Sequence, residues 1–255
     1  MRKMRWMLAP LLLSIVLSVQ IQAKAPDTVI PAMDLAPMKF GSYDWFGRHD
    51  AVVDRVKQGK VDLILVGDSI TNGLGGPPDK WSYGGPGGLW DKFFGSRNAV
   101  NLGFGWDKTQ HVLWRFNHGE IDGIKPKVAV VMIGTNNMGS DTSPEIAMGV
   151  TAVVDQLQTK LPGTKVLLLA IFPRGNKPDD KNRMQVAEVN KLIAPLGKRK
   201  GVTYMDFSAK FLDADGTLSK DVMPDFLHPN AKGYDIWTKE MEPTLAKLMG
   251  DKPRM

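Results

Sequence analysis

The amino-acid sequence predicts an α/β fold organised on a parallel β-sheet. Three features predict it. Five short runs are rich in branched apolar residues, helical stripes fill the gaps between them, and glycine or proline closes most of the runs. The first run, Val61 to Val66, is followed by Gly67, and the second spans Ala99 to Phe104. The third, Lys127 to Ile133, is followed by Gly134, and the fourth, Lys165 to Phe172, by Pro173. The fifth is Val202 to Phe207. Strands this uniformly apolar belong in a sheet covered on both faces, the setting of parallel strands joined by right-handed crossovers.

The helical stripes follow in order. Thr109 to Ile121 carries Val112, Leu113 and Phe116 on one face, with His111 and His118 on its polar side. Ser143, Pro144 and Glu145 supply a capping hydroxyl, a proline suited to the first turn and an acid near the positive helix end. Ile146, Val150, Val153, Val154, Leu157 and Leu161 then recur at helical spacing, and Gly163 closes that run. Met184, Ala187, Val189, Leu192, Ile193 and Leu196 form another stripe expected in the core. Ala231 to Met249 is the last, with Trp237, Met241, Leu245 and Leu248, and Pro243 is expected to kink it. Residues 71–88 hold seven glycines and three prolines, a loop beside the first strand long enough to carry function.

The length of 255 residues fits one domain after an export signal. Arg2, Lys3 and Arg5 precede an apolar stretch from Met7 to Val19, with small residues at Ala23 and Ala25. Residues 1–25 read as a secretory signal peptide cleaved after Ala23 or Ala25, the alternative being an uncleaved anchor. They hold four lysines and arginines and no acid, so their removal takes the net charge from +6 to +2. The basic balance therefore says little about nucleic acid. Residues 26–43 read as an extended lead-in and 44–250 as the single domain. Cysteine is absent, which excludes disulfides, thiolate metal sites and a cysteine nucleophile. The four histidines would be nearly exhausted by one multi-histidine metal site.

Ligands of open α/β sheets bind beyond the carboxyl ends of the strands. There the sequence places Gly67-Asp68-Ser69, then Gly103-Phe104-Gly105-Trp106-Asp107, Gly134-Thr135-Asn136-Asn137, and Asp225-Phe226-Leu227-His228 before the last helix. Together they offer a hydroxyl, N–H groups beside glycines, an amide, an imidazole and a carboxylate, which is the set that acyl transfer needs. A serine hydroxyl requires an adjacent base, and His228 is the natural one. Asp225 lies one turn earlier, where it can orient the imidazole. Taken singly, Ser69 reads more readily as a turn or capping serine and Asp225-x-x-His228 as a surface turn before a helix.

In this order the four blocks resemble those of the GDSL or SGNH hydrolases. Longer strings resemble the catalytic subunits of platelet-activating factor acetylhydrolase type Ib: His111 to Arg115, Gly119-Glu120, Ile124 to Lys127, Gly134 to Asn137, Pro173-Arg174-Gly175 and Asp225 to His228. The similarity runs from about residue 45 to 249. It implies a three-layer α/β/α, flavodoxin-like fold with a five-stranded parallel sheet. It implies Ser69 as nucleophile, with Asp225 and His228 completing a triad. It implies an oxyanion hole from the Ser69 N–H, the Gly105–Trp106 turn and the Asn136 amide. Relatives usually carry glycine where this chain has Trp106. Only glycine takes a positive φ freely, so Trp106 is expected in an ordinary backbone region, its ring lining or crowding the acyl site or packing at the core edge. Arg174 reads equally as a substrate contact and as a surface ion pair.

These features predict a serine esterase that removes a short acyl group, acetyl foremost, from a small polar or carbohydrate alcohol. Trp81, Trp90 and Trp106 fit a small acyl group. The alternatives are acetylhydrolase or lysophospholipase-like activity on a lipid ester, and a non-catalytic glycan- or lipid-binding module. A nucleotide-binding protein is disfavoured, since no glycine run spells a phosphate loop. The expected associations are an ester substrate, no cofactor, no metal, no nucleic acid and no stable membrane insertion once the signal is removed. A homodimer is expected by resemblance, and a periplasmic or secreted location by the signal.

Overall fold

The computed structural model describes residues 24–33, 39–40, 43–79 and 85–254. Five parallel strands form one sheet: β1 (Leu63–Gly67), β2 (Ala99–Gly103), β3 (Val128–Met132), β4 (Lys165–Leu169) and β5 (Val202–Met205). Their spatial order is β2-β1-β3-β4-β5. The chain steps out from β1 to β2 and then crosses back to β3, so the order reverses at β1. Gly67 pairs in register with Gly103 on one side and Met132 on the other. The carboxyl ends of these three strands therefore open on one rim, the place where such sheets bind ligands.

Among the described residues, seven α-helices pack on the sheet: α1 (Trp45–Lys57), α2 (Ser69–Asn72), α3 (Leu89–Phe93), α4 (Thr109–Asn117), α5 (Ser143–Lys160), α6 (Lys181–Ile193) and α7 (Ala231–Met249). Along β1, Ile64 and Val66 join one core with residues of α1, α4, α5 and α6, while Leu63 and Leu65 join the other with residues of α2, α3 and α7. All five β1 residues are buried. This is the two-faced burial that the apolar runs predict, and the strand positions agree with the expected five to within a few residues. Among the described residues, no helix is long and apolar enough to cross a membrane.

Two glycines let α2 press onto the strand ends. A Cβ on Gly67 would overlap Thr71 Oγ1 and lie 2.5 Å from the Met132 carbonyl oxygen. One on Gly103 would overlap the Asn72 nitrogen and lie 2.6 Å from the Thr71 carbonyl carbon. Backbone packed on backbone cannot give way as a side-chain tip can, so both positions exclude any larger residue.

Several sequence expectations change. Met184 and Leu192 are 53% and 44% exposed, so the stripe assigned to α6 does not all face the core. Val189 and Ile193 face inward as expected, and the other inward positions are Arg183, Val186 and Asn190. The reason is local hydrogen bonding: the Asn190 amide accepts from Ile171 N–H at 2.8 Å and donates to Ile171 O at 2.9 Å. Arg183 donates to the Arg174, Gly175 and Gly216 carbonyls. These polar groups satisfy backbone that the sheet cannot, and they rotate the helix accordingly.

Helix α4 stops at Asn117, short of the expected Ile121, and His111 is buried rather than on a polar side. Its Nδ1 accepts the Lys108 N–H at 2.9 Å, tying down the start of the helix. The helix α1 had no counterpart among the expected elements; Asp44 caps it by accepting the Gly47 N–H at 3.0 Å. Helix α7 runs unbroken through Pro243.

The lead-in is anchored rather than simply extended. It forms a short 3₁₀ turn at Asp27–Val29. Thr28 Oγ1 donates to Glu145 O at 2.7 Å, and Thr28 O accepts from Thr109 Oγ1 at 2.9 Å. The short strands Lys39–Phe40 and Tyr43–Asp44 pair antiparallel before α1. The proposed signal segment lies outside the described residues except for Lys24 and Ala25.

Gly103→Ala should lower stability by about 2 kcal/mol or more, since the added methyl runs into the backbone of Thr71 and Asn72. Gly87→Ala, where a Cβ meets nothing within 4 Å, should change it little. Urea denaturation of both variants checks the contrast, and equal stabilities would refute the close approach of α2.

Candidate active site

Strand β1 ends at Gly67, and Asp68 caps α2 by accepting the Ile70 N–H at 2.9 Å. Ser69 is thereby the first helical residue, where its own N–H has no carbonyl in the helix to reach. Asp68 is fully buried, and burial pushes its carboxyl up to about 7 despite the opposing Ile70 hydrogen bond.

Ser69 Oγ lies 2.9 Å from His228 Nε2, and His228 Nδ1 lies 2.6 Å from Asp225 Oδ2. The second carboxylate oxygen accepts the His228 N–H at 2.7 Å and the Leu227 N–H at 3.1 Å. Partial burial works to raise the Asp225 carboxyl. The hydrogen bonds from the His228 ring and backbone outweigh it and hold the acid below its ordinary value. A carboxylate on Nδ1 fixes the proton there and leaves Nε2 as an acceptor facing the Ser69 hydroxyl. The loop closes this tightly because Phe226 adopts a left-handed φ of 58°. Its N–H donates to Met223 O and its carbonyl accepts from Gly175 N, both at 2.9 Å. One backbone turn thus brings an acid and a base three residues apart into contact.

Asn136 sits on the 3₁₀ turn Thr135–Asn137 after β3. Its Nδ2 donates to Asp107 O at 3.0 Å, which aims the amide across the rim. The amide carries a second hydrogen for a ligand. Arg174 is half-buried behind this turn, donating to Thr135 O at 2.7 Å and to Thr135 Oγ1 at 3.3 Å. It is not among the residues that line the cleft at Ser69.

Trp106 does not lie in an ordinary backbone region; its φ is 62°. The turn keeps a glycine-like conformation with a tryptophan in it. For a residue with a Cβ that conformation costs about 1–2 kcal/mol, so the surroundings must enforce it. The ring is 43% exposed and lines the cleft. It lies 6.0 Å from the Tyr43 ring, centroid to centroid, at an interplanar angle of 57°. The neighbouring Gly105 N–H donates to Tyr43 Oη at 2.9 Å.

The cleft encloses about 440 Å³, with Ser69, Asn136 and His228 as its polar members and Trp106, Leu227, Pro229 and Tyr234 as walls. Tyr234 is held by a hydrogen bond from its hydroxyl to Ile70 O at 2.8 Å. Trp90 is elsewhere: it is buried in the core against Phe94, 5.0 Å between ring centroids. Trp81 lies outside the described residues. Among the described residues, no cluster of three or more histidines or acids is arranged to hold a metal ion.

Behind the rim lies a buried polar network that the sequence reading did not assign. Arg115 Nε pairs with Asp107 Oδ2 at 2.8 Å, and Arg115 Nη1 pairs with Glu120. Glu120 also meets His49 Nδ1 at 2.8 Å, and Trp45 Nε1 donates to Asp107 Oδ1 at 2.7 Å. Burial alone would lower the Arg115 guanidinium; the two carboxylates raise it, so it stays charged. Arg48 donates to Gly103 O at 2.6 Å and Asn101 O at 2.9 Å. Charged residues at inward positions of α1 and α4 are the available signal for this network. Tyr43, in the lead-in, has no such signal.

Residues 65–236 match the model of the GDSL-like lipase/acylhydrolase family. The chain is 37% identical over 214 residues to platelet-activating factor acetylhydrolase IB subunit alpha2 of Gallus gallus, covering 84% of this chain and 88% of that protein. It is 32% identical over 213 residues to subunit alpha1 of Homo sapiens, covering 82% and 86%. Among solved structures, a GDSL-like lipase of Bacteroides thetaiotaomicron shares the fold with a TM-score of 0.59 at 18% identity, covering 80% of this chain and 96% of that one. An acetylxylan esterase of Geobacillus stearothermophilus does so with a TM-score of 0.58 at 19% identity, covering 76% and 96%. The chain belongs to the GDSL-like lipase/acylhydrolase family and is a carboxylic-ester hydrolase.

Proposed function

We propose that this hydrolase cleaves short-chain esters, acetyl foremost, from a small polar or carbohydrate alcohol through an acyl-enzyme on Ser69. The Ser69–His228–Asp225 hydrogen-bonded chain carries the reading, with its spacings of 2.9 and 2.6 Å. His228 Nε2 takes the Ser69 proton as Oγ bonds to the ester carbonyl carbon. The oxyanion is received by the N–H of Ser69, the N–H of Trp106 and Asn136 Nδ2. Gly105 N–H is taken by Tyr43, which supports Trp106 rather than Gly105 in this role. The carbon–oxygen bond to the alcohol breaks as His228 returns the proton to it. Water, deprotonated by His228, then attacks the acyl-enzyme, and the carboxylic acid leaves with Ser69 reprotonated.

Acetyl is favoured by the bulk of the Trp106 ring, which lines the same cleft as Ser69 and takes space from a longer acyl chain. The acetyl chemistry named for both the curated relatives and the acetylxylan esterase accords with this. A lipid ester is the second reading, favoured by the apolar walls Leu227 and Pro229. The basic and apolar N-terminal segment, residues 1–25, supports the further proposal that the enzyme acts outside the cytoplasm.

Ser69→Ala should lower kcat by about 10⁴-fold or more with the melting temperature retained. Asn136→Ala should lower kcat by about 10²–10³-fold and leave KM nearly unchanged, since its amide acts mainly on the transition state. Steady-state kinetics on p-nitrophenyl acetate checks both. A Ser69→Ala enzyme with most of its turnover would favour a binding module or another nucleophile.

The profile of kcat/KM against acyl length, measured with p-nitrophenyl esters and with acetylated xylan, should peak at acetyl and fall by hexanoyl. Each methylene left unburied forfeits about 0.8 kcal/mol. Trp106→Gly should flatten that fall. A wild-type optimum at octanoyl would support the lipid ester instead.

A further inference from the structure

We propose that Tyr43 is a positioning residue for the oxyanion turn, its hydroxyl holding Gly105–Trp106 in the left-handed form that a tryptophan resists. The inference rests on the assignment of the Trp106 N–H to the oxyanion. Trp106 needs such a device because φ of 62° is natural for glycine and strained for a residue with a large side chain. Relaxation toward negative φ would rotate the peptide between Gly105 and Trp106 and carry the Trp106 N–H off the rim.

Two contacts oppose that relaxation, and one residue makes both. Tyr43 Oη accepts the Gly105 N–H at 2.9 Å, which pins the residue preceding the strained one. The Tyr43 ring lies against the Trp106 ring at 6.0 Å. Tyr43 is itself fixed. It is buried, it lies in the short strand preceding α1, and its hydroxyl has Asn72 Nδ2 at 3.5 Å. Asn72 in turn donates to Gly103 O at 3.1 Å, at the start of the same turn. The hydroxyl therefore sits between helix α2, which begins at Ser69, and the turn that carries Trp106. The lead-in thus contributes a polar atom to the back of the active site.

The test is a double-mutant cycle read in kcat and KM on p-nitrophenyl acetate, with melting temperatures measured alongside. Tyr43→Phe removes one oxygen and should lower kcat about tenfold, the factor of an ordinary buried hydrogen bond, with KM within about twofold. In a Trp106→Gly background the turn takes its conformation without help, so Tyr43→Phe should change kcat by less than about twofold. Trp106→Ala separates strain from ring packing. It removes the ring and keeps a Cβ, so the tenfold dependence on the hydroxyl should persist there. An equal effect of Tyr43→Phe in the wild-type and Trp106→Gly backgrounds would overturn the proposal, as would no effect in either. Loss of the dependence in both Trp106→Gly and Trp106→Ala would overturn it in favour of ring packing. Should Tyr43→Phe weaken folding, the cycle still decides, because instability alone would follow the substitution into every background. Failure of the underlying serine-esterase reading is distinguishable, since it would show in Ser69→Ala retaining most of its turnover.

Discussion

Asp107 accepts a hydrogen bond from Trp45 on one carboxylate oxygen and pairs with Arg115 through the other, both without access to water. Its backbone carbonyl receives the Asn136 amide. Two proposed oxyanion donors depend on where this one residue sits. The Trp106 N–H belongs to the turn that leads into Asp107, and Asn136 is aimed by its carbonyl. A buried ion pair of this kind adds little net stability over an apolar substitute, because desolvation offsets the attraction. Its value is directional. Arg115 has a planar fork of donors, and binding Asp107, Glu120 and Leu102 O together leaves the turn a single placement.

The same network explains how strain is carried at the rim. Phe104 is flanked by two guanidinium groups, Arg115 at 4.0 Å and Arg48 at 5.1 Å from the ring centroid. Arg48 meanwhile holds the Gly103 and Asn101 carbonyls at the end of β2. The turn from Gly103 to Asp107 is thus fixed at both ends before Trp106 adopts its left-handed conformation. Phe226 repeats the arrangement in the loop of the acid and base, with hydrogen bonds on either side of it. The two strained residues that touch the site both lie between anchors, and in each case the strain aims a proposed catalytic group.

Much of this was legible in the sequence. The five strands were, because a strand buried on both faces writes itself as an unbroken apolar run. The four blocks at the strand ends were, because the topology brings every carboxyl end to one rim. What was not legible depends on distant partners. The φ of Trp106 contradicts its own side-chain preference and is enforced by Tyr43 and Asp107, residues 63 places before it and one after it. The inward face of α6 is chosen by Asn190 binding Ile171, a carbonyl and N–H that no helical periodicity records. Arg174 follows a strand end as a ligand-binding residue would, yet it braces Thr135. Trp90 directly follows the glycine-rich stretch, yet its ring is core.

The central claim is that Ser69 is the nucleophile activated by His228, and covalent labelling tests it most directly. The protein would be treated with a p-nitrophenyl organophosphate and the modified residue located by peptide mass spectrometry. The account predicts stoichiometric phosphorylation of Ser69, lost or greatly slowed in His228→Ala. A label on another serine, or undiminished labelling of Ser69 without His228, would contradict it.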